Sequence, residues 1–290
     1  MNAVPVRAPT ETLAYSPQVV ARTQEHVVRT ADGHRLHAEV TGVGPPLLLI
    51  QGLGYATWGW EQHVPALAER FRTITFDNRG AGRSDKPDEP YSIELLAEDA
   101  LVVLDELGSR PAHVVGFSMG GYIALTLARR WPDAVASLVL VATSCGGSEA
   151  HGVPEATARA WAEASALPPA EFARRSMPLS YAPGWADAHP DEFERFLTAR
   201  LRHPTPGFAW RRQLAACEEF LTAGIDVDAV AVPALVVHGT ADRVVPYPNA
   251  ELLVRRLPQA EHLRLEGAGH LALLERPDEV SRAIVEFLSR

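Results

Sequence analysis

The sequence predicts an α/β protein: a mostly parallel central sheet flanked by helices, with a helical cap inserted into it. Three observations carry this prediction. Short apolar or β-rich runs, such as 47–50 and 72–76, are typical of strands covered on both faces. Helical segments alternate with those runs, which favours parallel strands joined by right-handed crossovers. The alternation then stops between residues 146 and 224, where only helical patterns occur.

The individual elements follow from local patterns. Segment 25–40 predicts a β-hairpin, because an Asp-Gly pair separates two β-rich runs. Ser92 is a predicted N-cap for the helix that follows it. The further predicted strands are 47–50, 72–76, 112–115, 137–142, 234–238 and 261–265. The predicted helices are 92–107, 119–130, 155–166, 190–202, 207–222, 249–257 and 277–288.

Length and pattern together favour one core over two separate domains. The chain has 290 residues, and single cores stop growing near this size. The strand pattern resumes after residue 224, so the helical stretch is an insertion within one domain. We therefore expect an N-terminal arm at 1–24, a core formed by 25–145 and 225–290, and a cap at 146–224.

Composition limits the partners and the compartment. The net charge of -9 opposes phosphate backbones and anionic lipids, so neither nucleic acid nor a membrane is an expected partner. No apolar run approaches the roughly 18 residues of a membrane span, and the N-terminus lacks a signal-peptide pattern. We expect a cytoplasmic protein, either a monomer or a homodimer. Cys145 and Cys217, its two cysteines, lie far apart, which predicts free thiols.

No cofactor and no metal are expected. The segment 52–54 reads Gly-Leu-Gly and could begin a dinucleotide fingerprint, but Thr57 occupies the place of the third glycine. The histidines near predicted strands lack the spacing of metal ligands, which makes hydrogen-bonded structural roles the expectation. These histidines are His63, His113 and His238.

The most specific motif is the pentapeptide at 116–120, Gly-Phe-Ser-Met-Gly, between a predicted strand and a predicted helix. In this context Gly-x-Ser-x-Gly is typical of a nucleophile elbow, a sharp turn that exposes the serine at the carboxyl end of the sheet. Ser118 is the predicted nucleophile, and the backbone N–H of Met119 is a predicted oxyanion donor. A structural Gly-Ser-Gly turn is the alternative.

A serine nucleophile requires a base and a group that orients the base. His270 follows the last predicted strand, and Asp242 follows the strand at 234–238. The order Ser, Asp, His is that of hydrolases with a nucleophile elbow. We predict His270 as the base and Asp242 as the orienting acid, against the alternatives of a solvated histidine and a turn-forming aspartate.

With these motifs the chain resembles the α/β-hydrolase family, specifically its esterase, enol-lactonase and cofactor-free haloperoxidase branch. The resemblance covers about residues 25–290 and includes segment 76–85, Phe-Asp-Asn-Arg-Gly-Ala-Gly-Arg-Ser-Asp. It implies catalytic roles for Ser118, Asp242 and His270.

The resemblance also assigns the neighbouring loops. It implies that Asp77 and Arg79 form a structural turn and that the N–H of Leu53 is the second oxyanion donor. Gln51 stands where the family usually has a histidine, which changes the side-chain hydrogen bonds available to this loop. We include Gln51 among the predicted substrate contacts.

The predicted cap is rich in aromatic residues, and its place in the chain would put it over Ser118. Together these aromatic side chains suggest an apolar pocket above Ser118. The predicted substrate contacts from the cap are Trp161, Trp185 and Trp210.

The predicted reaction is hydrolysis of a small apolar ester or lactone through an acyl-enzyme. Carbon–carbon bond hydrolysis and perhydrolase or haloperoxidase chemistry stay open, because the same three side chains can perform them. A serine at the elbow argues against dehalogenase and epoxide hydrolase chemistry, which use a carboxylate nucleophile. A non-catalytic binding protein is the alternative from another class.

Overall fold

A computed structural model gives the structure of residues 22–164 and 166–290. Nearly all of the predicted N-terminal arm, 1–24, therefore lies outside the described residues. The described chain forms an eight-stranded sheet of order β1-β2-β4-β3-β5-β6-β7-β8. Its strands are β1 (Gln24–Arg29), β2 (Arg35–Thr41), β3 (Pro46–Ile50), β4 (Arg72–Phe76), β5 (Ala112–Phe117), β6 (Val135–Val141), β7 (Ala234–Gly239) and β8 (Ala260–Leu265).

The sheet is antiparallel at one edge and parallel elsewhere. β1 pairs with β2, and β2 pairs with β4, in antiparallel register. From β4 through β3, β5, β6, β7 and β8 every pairing is parallel. The predicted opening hairpin and the predicted parallel sheet are both present, and β5 lies in the middle of the parallel part.

Both faces of the sheet are covered, as the apolar runs predict. Leu48 and Val114 belong to one apolar cluster, which includes residues of the helices around 93–104 and 119–128. Leu49 and Val115, one residue further along each strand, belong to a second cluster on the other face. Successive side chains of a strand point to opposite faces, so continuous apolar runs satisfy both clusters.

The longer helices match the predicted helical segments, and the shorter helices have no counterpart among them. Among the described residues, none of the helices combines the length and apolar character that crossing a bilayer requires. The helices are α1 (Val64–Ala68), α2 (Ile93–Glu106), α3 (Met119–Arg130), α4 (Glu155–Ala164), α5 (Pro169–Ser176), α6 (Trp185–Ala188), α7 (Pro190–Arg202), α8 (Gly207–Ala223), α9 (Pro248–Arg256), α10 (Ala272–Glu275) and α11 (Pro277–Leu288).

The segment between β6 and β7 is helical. It holds α4 to α8 and a short 3₁₀ turn at Met177–Ser180. In the described part of 146–224 no residue belongs to a strand. We refer to this segment as the cap. It shares a cavity wall with Ser118 and His270, which places it over the carboxyl ends of the central strands.

Candidate active site

Ser118 occupies a strained turn between β5 and α3. Its φ of 53° and ψ of −117° lie in a region that residues other than glycine rarely adopt. Two glycines make room for the turn. A Cβ on Gly116 would lie 2.3 Å from the carbonyl oxygen of Gly120, and a Cβ on Gly120 would lie 2.2 Å from that of Ile50. The motif therefore has the backbone of a nucleophile elbow.

The structure brings Ser118, His270 and Asp242 together in one hydrogen-bonded chain. The Oγ of Ser118 lies 3.0 Å from Nε2 of His270. Nδ1 of His270 lies 2.8 Å from Oδ2 of Asp242. The other carboxylate oxygen of Asp242 accepts the N–H groups of Val244 and Val245, at 2.7 and 2.8 Å. With Nδ1 donating to the carboxylate, Nε2 is free to accept the serine proton.

Asp242 is held as a carboxylate despite its burial. Burial is the largest influence on its pKa and raises it, but the charges and hydrogen bonds of His270 and His238 outweigh burial and lower the pKa to about 2. Nε2 of His238 lies 3.2 Å from Oδ2 of Asp242 and 2.8 Å from the carbonyl oxygen of Val245. The acid therefore stays ionised across the neutral range.

The reactivity of Ser118 should depend on His270 and not on the protonation of Asp242. Asp242 has a pKa of about 2, so it stays ionised and should not itself limit labelling by a phosphonate probe between about pH 5 and 9. His270→Ala should slow the labelling of Ser118 strongly at every pH in that range, because no group is then placed to accept the serine proton. Labelling of His270→Ala at the wild-type rate would contradict a histidine base.

The loop after β3 lies against the elbow. A Cβ on Gly52 would lie 3.1 Å from Cβ of Ser118, and Leu53 lines the same cavity as Ser118 and His270. Met119 is the first residue of α3, and the first N–H groups of a helix have no acceptor within it. The oxyanion roles of the Leu53 and Met119 N–H groups stay predictions.

Gln51 does not reach the cavity, contrary to its prediction as a substrate contact. Its side chain is completely buried and absent from the cavity wall. Its Oε1 accepts the N–H of Gly52 at 3.3 Å, and a Cβ on Gly59 would lie only 2.4 Å from its Nε2. Gln51 supports the loop from beneath because Gly59 leaves space for the amide there.

Gln213 of α8 links the cap to two loops beside Ser118, and sequence reasoning missed it. Its Oε1 accepts the N–H of Gly54 at 2.8 Å, and its Nε2 donates to the carbonyl oxygen of Arg79 at 2.9 Å. In the sequence, Gln213 is a single amide side chain among the apolar positions of a cap helix, and this placement could have indicated a buried polar contact. Asp77 supports the same region, accepting the N–H groups of Thr57 and Arg83, both at 2.7 Å.

The cap is also tied to the loops that carry the predicted acid and base. Glu275 accepts the N–H of Gly269, beside His270, at 3.1 Å and the N–H of Ala182 in the cap at 3.0 Å. Arg243, beside Asp242, donates to the carbonyl oxygen of Tyr181 at 3.1 Å. Nothing local in the sequence indicates these contacts, which fix the cap relative to both loops.

Ser118 and His270 open into a cavity of about 420 Å³ between the core and the cap. This volume is typical of a pocket for a small organic ligand. Trp161 and Trp210 line the cavity, as predicted substrate contacts would. The other large apolar side chains of its wall are Leu53, Tyr55, Phe117, Tyr122, Val153, Phe172, Leu214, Leu221, Val244 and Val245.

Trp185, by contrast, is not part of the cavity wall. It stacks on Tyr181 at 4.3 Å between ring centroids and on His189 at 4.6 Å. Its prediction as a substrate contact is wrong, because α6 directs this ring into packing between cap elements. Burial of an aromatic residue in a cap does not by itself indicate a ligand contact.

The possible metal ligands lie elsewhere. Among the described residues, Glu25, His37 and Glu39 bring three ligand atoms close together. Arg83 forms ion pairs with the carboxylates of Glu25 and Glu39, so a protein cation already balances part of their negative charge. The three histidines weighed as metal ligands in the sequence each contact a protein oxygen, and they are His63, His113 and His238.

Comparison with known proteins identifies the family. The family model described as alpha/beta hydrolase fold matches residues 45–277. The chain belongs to the α/β-hydrolase family. This α/β-hydrolase has the mostly parallel eight-stranded sheet and flanking helices that the sequence predicts.

Relatives of this α/β-hydrolase carry several activities in their names. BpoC of Mycobacterium tuberculosis, which is named as a non-heme bromoperoxidase, is 34% identical over 262 residues, or 86% of this chain and 95% of the relative. RutD of Caulobacter segnis, which is named as a carbamate hydrolase, is 29% identical over 275 residues, or 89% of this chain and 97% of the relative. The solved structure of a thermophilic esterase from Thermogutta terrifontis is 29% identical, with a TM-score of 0.77 over 92% of this chain and 98% of the esterase. These relatives confirm the resemblance stated from the motifs.

Proposed function

We propose that this α/β-hydrolase cleaves a carboxylic ester or lactone through an acyl-enzyme formed on Ser118. The observation that carries the proposal is the hydrogen-bonded chain from Ser118 through His270 to Asp242, with links of 3.0 and 2.8 Å. Ser118 and His270 line a cavity whose wall is mostly apolar. A base and an oriented acid are what a serine hydroxyl needs to become a nucleophile near neutral pH.

The steps follow from these positions. Ser118 attacks the ester carbonyl carbon while its proton passes to Nε2 of His270, and Asp242 stabilises the imidazolium. The N–H groups of Met119 and Leu53 hold the oxyanion. Collapse of the tetrahedral intermediate expels the alcohol, which takes the proton from His270. Water then attacks the acyl-enzyme by the same route and releases the acid.

Perhydrolysis is the second candidate, and the similarity to a bromoperoxidase favours it. In this reaction hydrogen peroxide replaces water in attacking the acyl-enzyme, and the product is a peracid. The peracid then oxidises bromide outside the site. The same residues serve both reactions, so the nucleophile that the cavity admits in the second step decides between them.

A substrate panel tests the proposal. Purified enzyme would be assayed on p-nitrophenyl esters of increasing acyl length, a lactone, a p-nitrophenyl carbamate and a β-diketone, and on acetate with peroxide and bromide. We expect the highest kcat/KM on an ester or lactone. A carbamate or diketone turned over more than tenfold faster than every ester would contradict the assignment, and dominant bromination would favour the second candidate.

The cap should set the acyl preference without taking part in bond breaking. Trp210→Ala removes a large side chain from the cavity wall, and one methylene of fit is worth roughly 1 to 3 kcal/mol. We expect the optimum of kcat/KM to move to longer acyl chains, while phosphonate labelling of Ser118 persists.

Trp185→Ala is the matched control, because it removes the same side chain from the cap but outside the cavity wall. Its acyl-length profile should match that of the wild type once circular dichroism has shown that both variants are folded. If Trp210→Ala also keeps the wild-type profile, the cap does not select the substrate.

A further inference from the structure

Two arginines of the cap line the cavity that holds Ser118: Arg200 on α7 and Arg211 on α8. Both also line a second cavity of about 200 Å³. Phe172 and Trp210 belong to both walls as well, and their rings form an edge-to-face pair with centroids 5.1 Å apart. These four side chains therefore form the boundary between the two cavities.

The guanidinium of Arg200 stands beside the loop of the second predicted oxyanion donor. Its Cζ lies 4.8 Å from the ring centroid of Tyr55, and a Cβ on Gly54 would lie 3.6 Å from its Nη2. Gly54 and Tyr55 directly follow Leu53 in the chain. The positive charge is thus held against the loop residues Gly54 and Tyr55.

The guanidinium of Arg200 has more N–H donors than its hydrogen bond within the protein uses. Its hydrogen bond to the hydroxyl of Tyr55 is long, at 3.5 Å, and a guanidinium carries five N–H donors. Within the ranges that the structure describes, no carboxylate lies within ion-pair distance of Arg200 or Arg211.

Arg79, a structural arginine of this protein, differs from Arg200 in having carboxylate partners. Arg79 is buried and donates to both Asp32 and Asp99, as expected of a charge removed from water. The net charge of -9 supplies carboxylates in excess, yet none of the described carboxylates lies within ion-pair distance of the half-buried Arg200. An anion from outside the protein would complete its hydrogen bonds.

One carboxylate side chain does line the catalytic cavity, and it lies at a different part of the wall. Glu218 follows Arg211 by seven residues on α8, which separates them by about 10 Å along the helix axis. Glu218 therefore leaves the arginine end of the cavity positive. The wall that Arg200 and Ser118 share includes the apolar side chains of Leu53 and Phe117.

We propose that Arg200, assisted by Arg211, binds a carboxylate at the far end of the acyl chain of the substrate. The substrate class would be half-esters of dicarboxylic acids. The planar guanidinium matches a carboxylate in two parallel hydrogen bonds, and the methylene chain would occupy the apolar wall. The inference rests on the proposed function, since it names the substrate class of that site.

Paired substrates test this site. One series contains p-nitrophenyl half-esters of straight-chain dicarboxylic acids with six to ten carbons, and the other contains p-nitrophenyl alkanoates of the same lengths. At the best length we expect wild-type kcat/KM to favour the half-ester by tenfold or more, and Arg200→Gln to remove that preference by lowering kcat/KM for the half-ester far more than for the alkanoate of the same length. Arg200→Lys should restore part of the preference. Arg202→Gln, which removes a charge from the same helix but outside both cavities, should leave it unchanged.

A binding measurement separates this inference from the proposed function. Calorimetry on Ser118→Ala would compare straight-chain dicarboxylates with monocarboxylates of equal length. Tighter binding of the dicarboxylate by tenfold or more, lost in Arg200→Gln, supports the site even if no ester is turned over. Equal affinity, or an affinity difference that survives Arg200→Gln, overturns it even if esters are hydrolysed. A half-ester preference that Arg200→Gln leaves unchanged would overturn it as well.

Discussion

Ser118→Ala is expected to lower kcat/KM for the preferred ester by a factor on the order of 10⁴ to 10⁶, because the variant has no group to form the acyl-enzyme. The fold should be retained. The backbone N–H of Ser118 donates to the carbonyl of Val141, and the carbonyl of Ser118 accepts the N–H of Gly121. Neither hydrogen bond involves the serine hydroxyl. Steady-state kinetics with circular dichroism would measure both expectations.

Ser137→Ala is a matched control for this loss. It removes a serine hydroxyl from β6 of the same sheet, where that hydroxyl is hydrogen-bonded to His113. Its kcat/KM should stay within about threefold of wild type, as is usual for a change far from the reacting groups. If Ser118→Ala kept more than a tenth of the wild-type activity, Ser118 would not be the nucleophile.

Asp242→Asn is expected to lower kcat on the order of 10⁴-fold. The N–H groups of Val244 and Val245 point at Oδ1 of Asp242, so an asparagine would place its amide oxygen there. Its NH₂ would then face Nδ1 of His270, which would have to accept rather than donate. The proton would move to Nε2, facing Ser118, and the histidine could no longer act as a base.

The comparison for Asp242→Asn is Asp278→Asn, an exposed position in the first turn of α11. It makes the same chemical change without touching the hydrogen-bonded chain and should stay close to wild-type kcat. A kcat for Asp242→Asn within tenfold of wild type would mean that this carboxylate does not hold the histidine.

Elements defined by local patterns could be predicted from the sequence. The strand at 72–76 and the helices at 119–130 and 277–288 have the predicted bounds, because β-rich runs, glycines and prolines mark their ends. The short helices α1, α5, α6 and α10 were not predicted. They have four to eight residues, too few to show a clear helical period.

The site was predictable in its residue types but not in its surroundings. Ser118 and His270 lie 152 positions apart, and the order of the motifs, rather than any spacing, brings them to one end of the sheet. Which cap tryptophan lines the cavity depends on how each helix is rotated, and a sequence does not fix this rotation. Trp210 and Trp185 illustrate the two outcomes. Gln51 was misassigned because the space beside Gly59 arises only in the folded chain.

The most direct test of the account is a mass measurement on enzyme quenched during ester turnover. Peptides from wild-type protein mixed with excess p-nitrophenyl ester should carry one acyl group on Ser118. This adduct should be absent from Ser118→Ala. An acyl group on another residue, or an equal adduct in Ser118→Ala, would contradict the proposal that this α/β-hydrolase acts through an acyl-enzyme on Ser118.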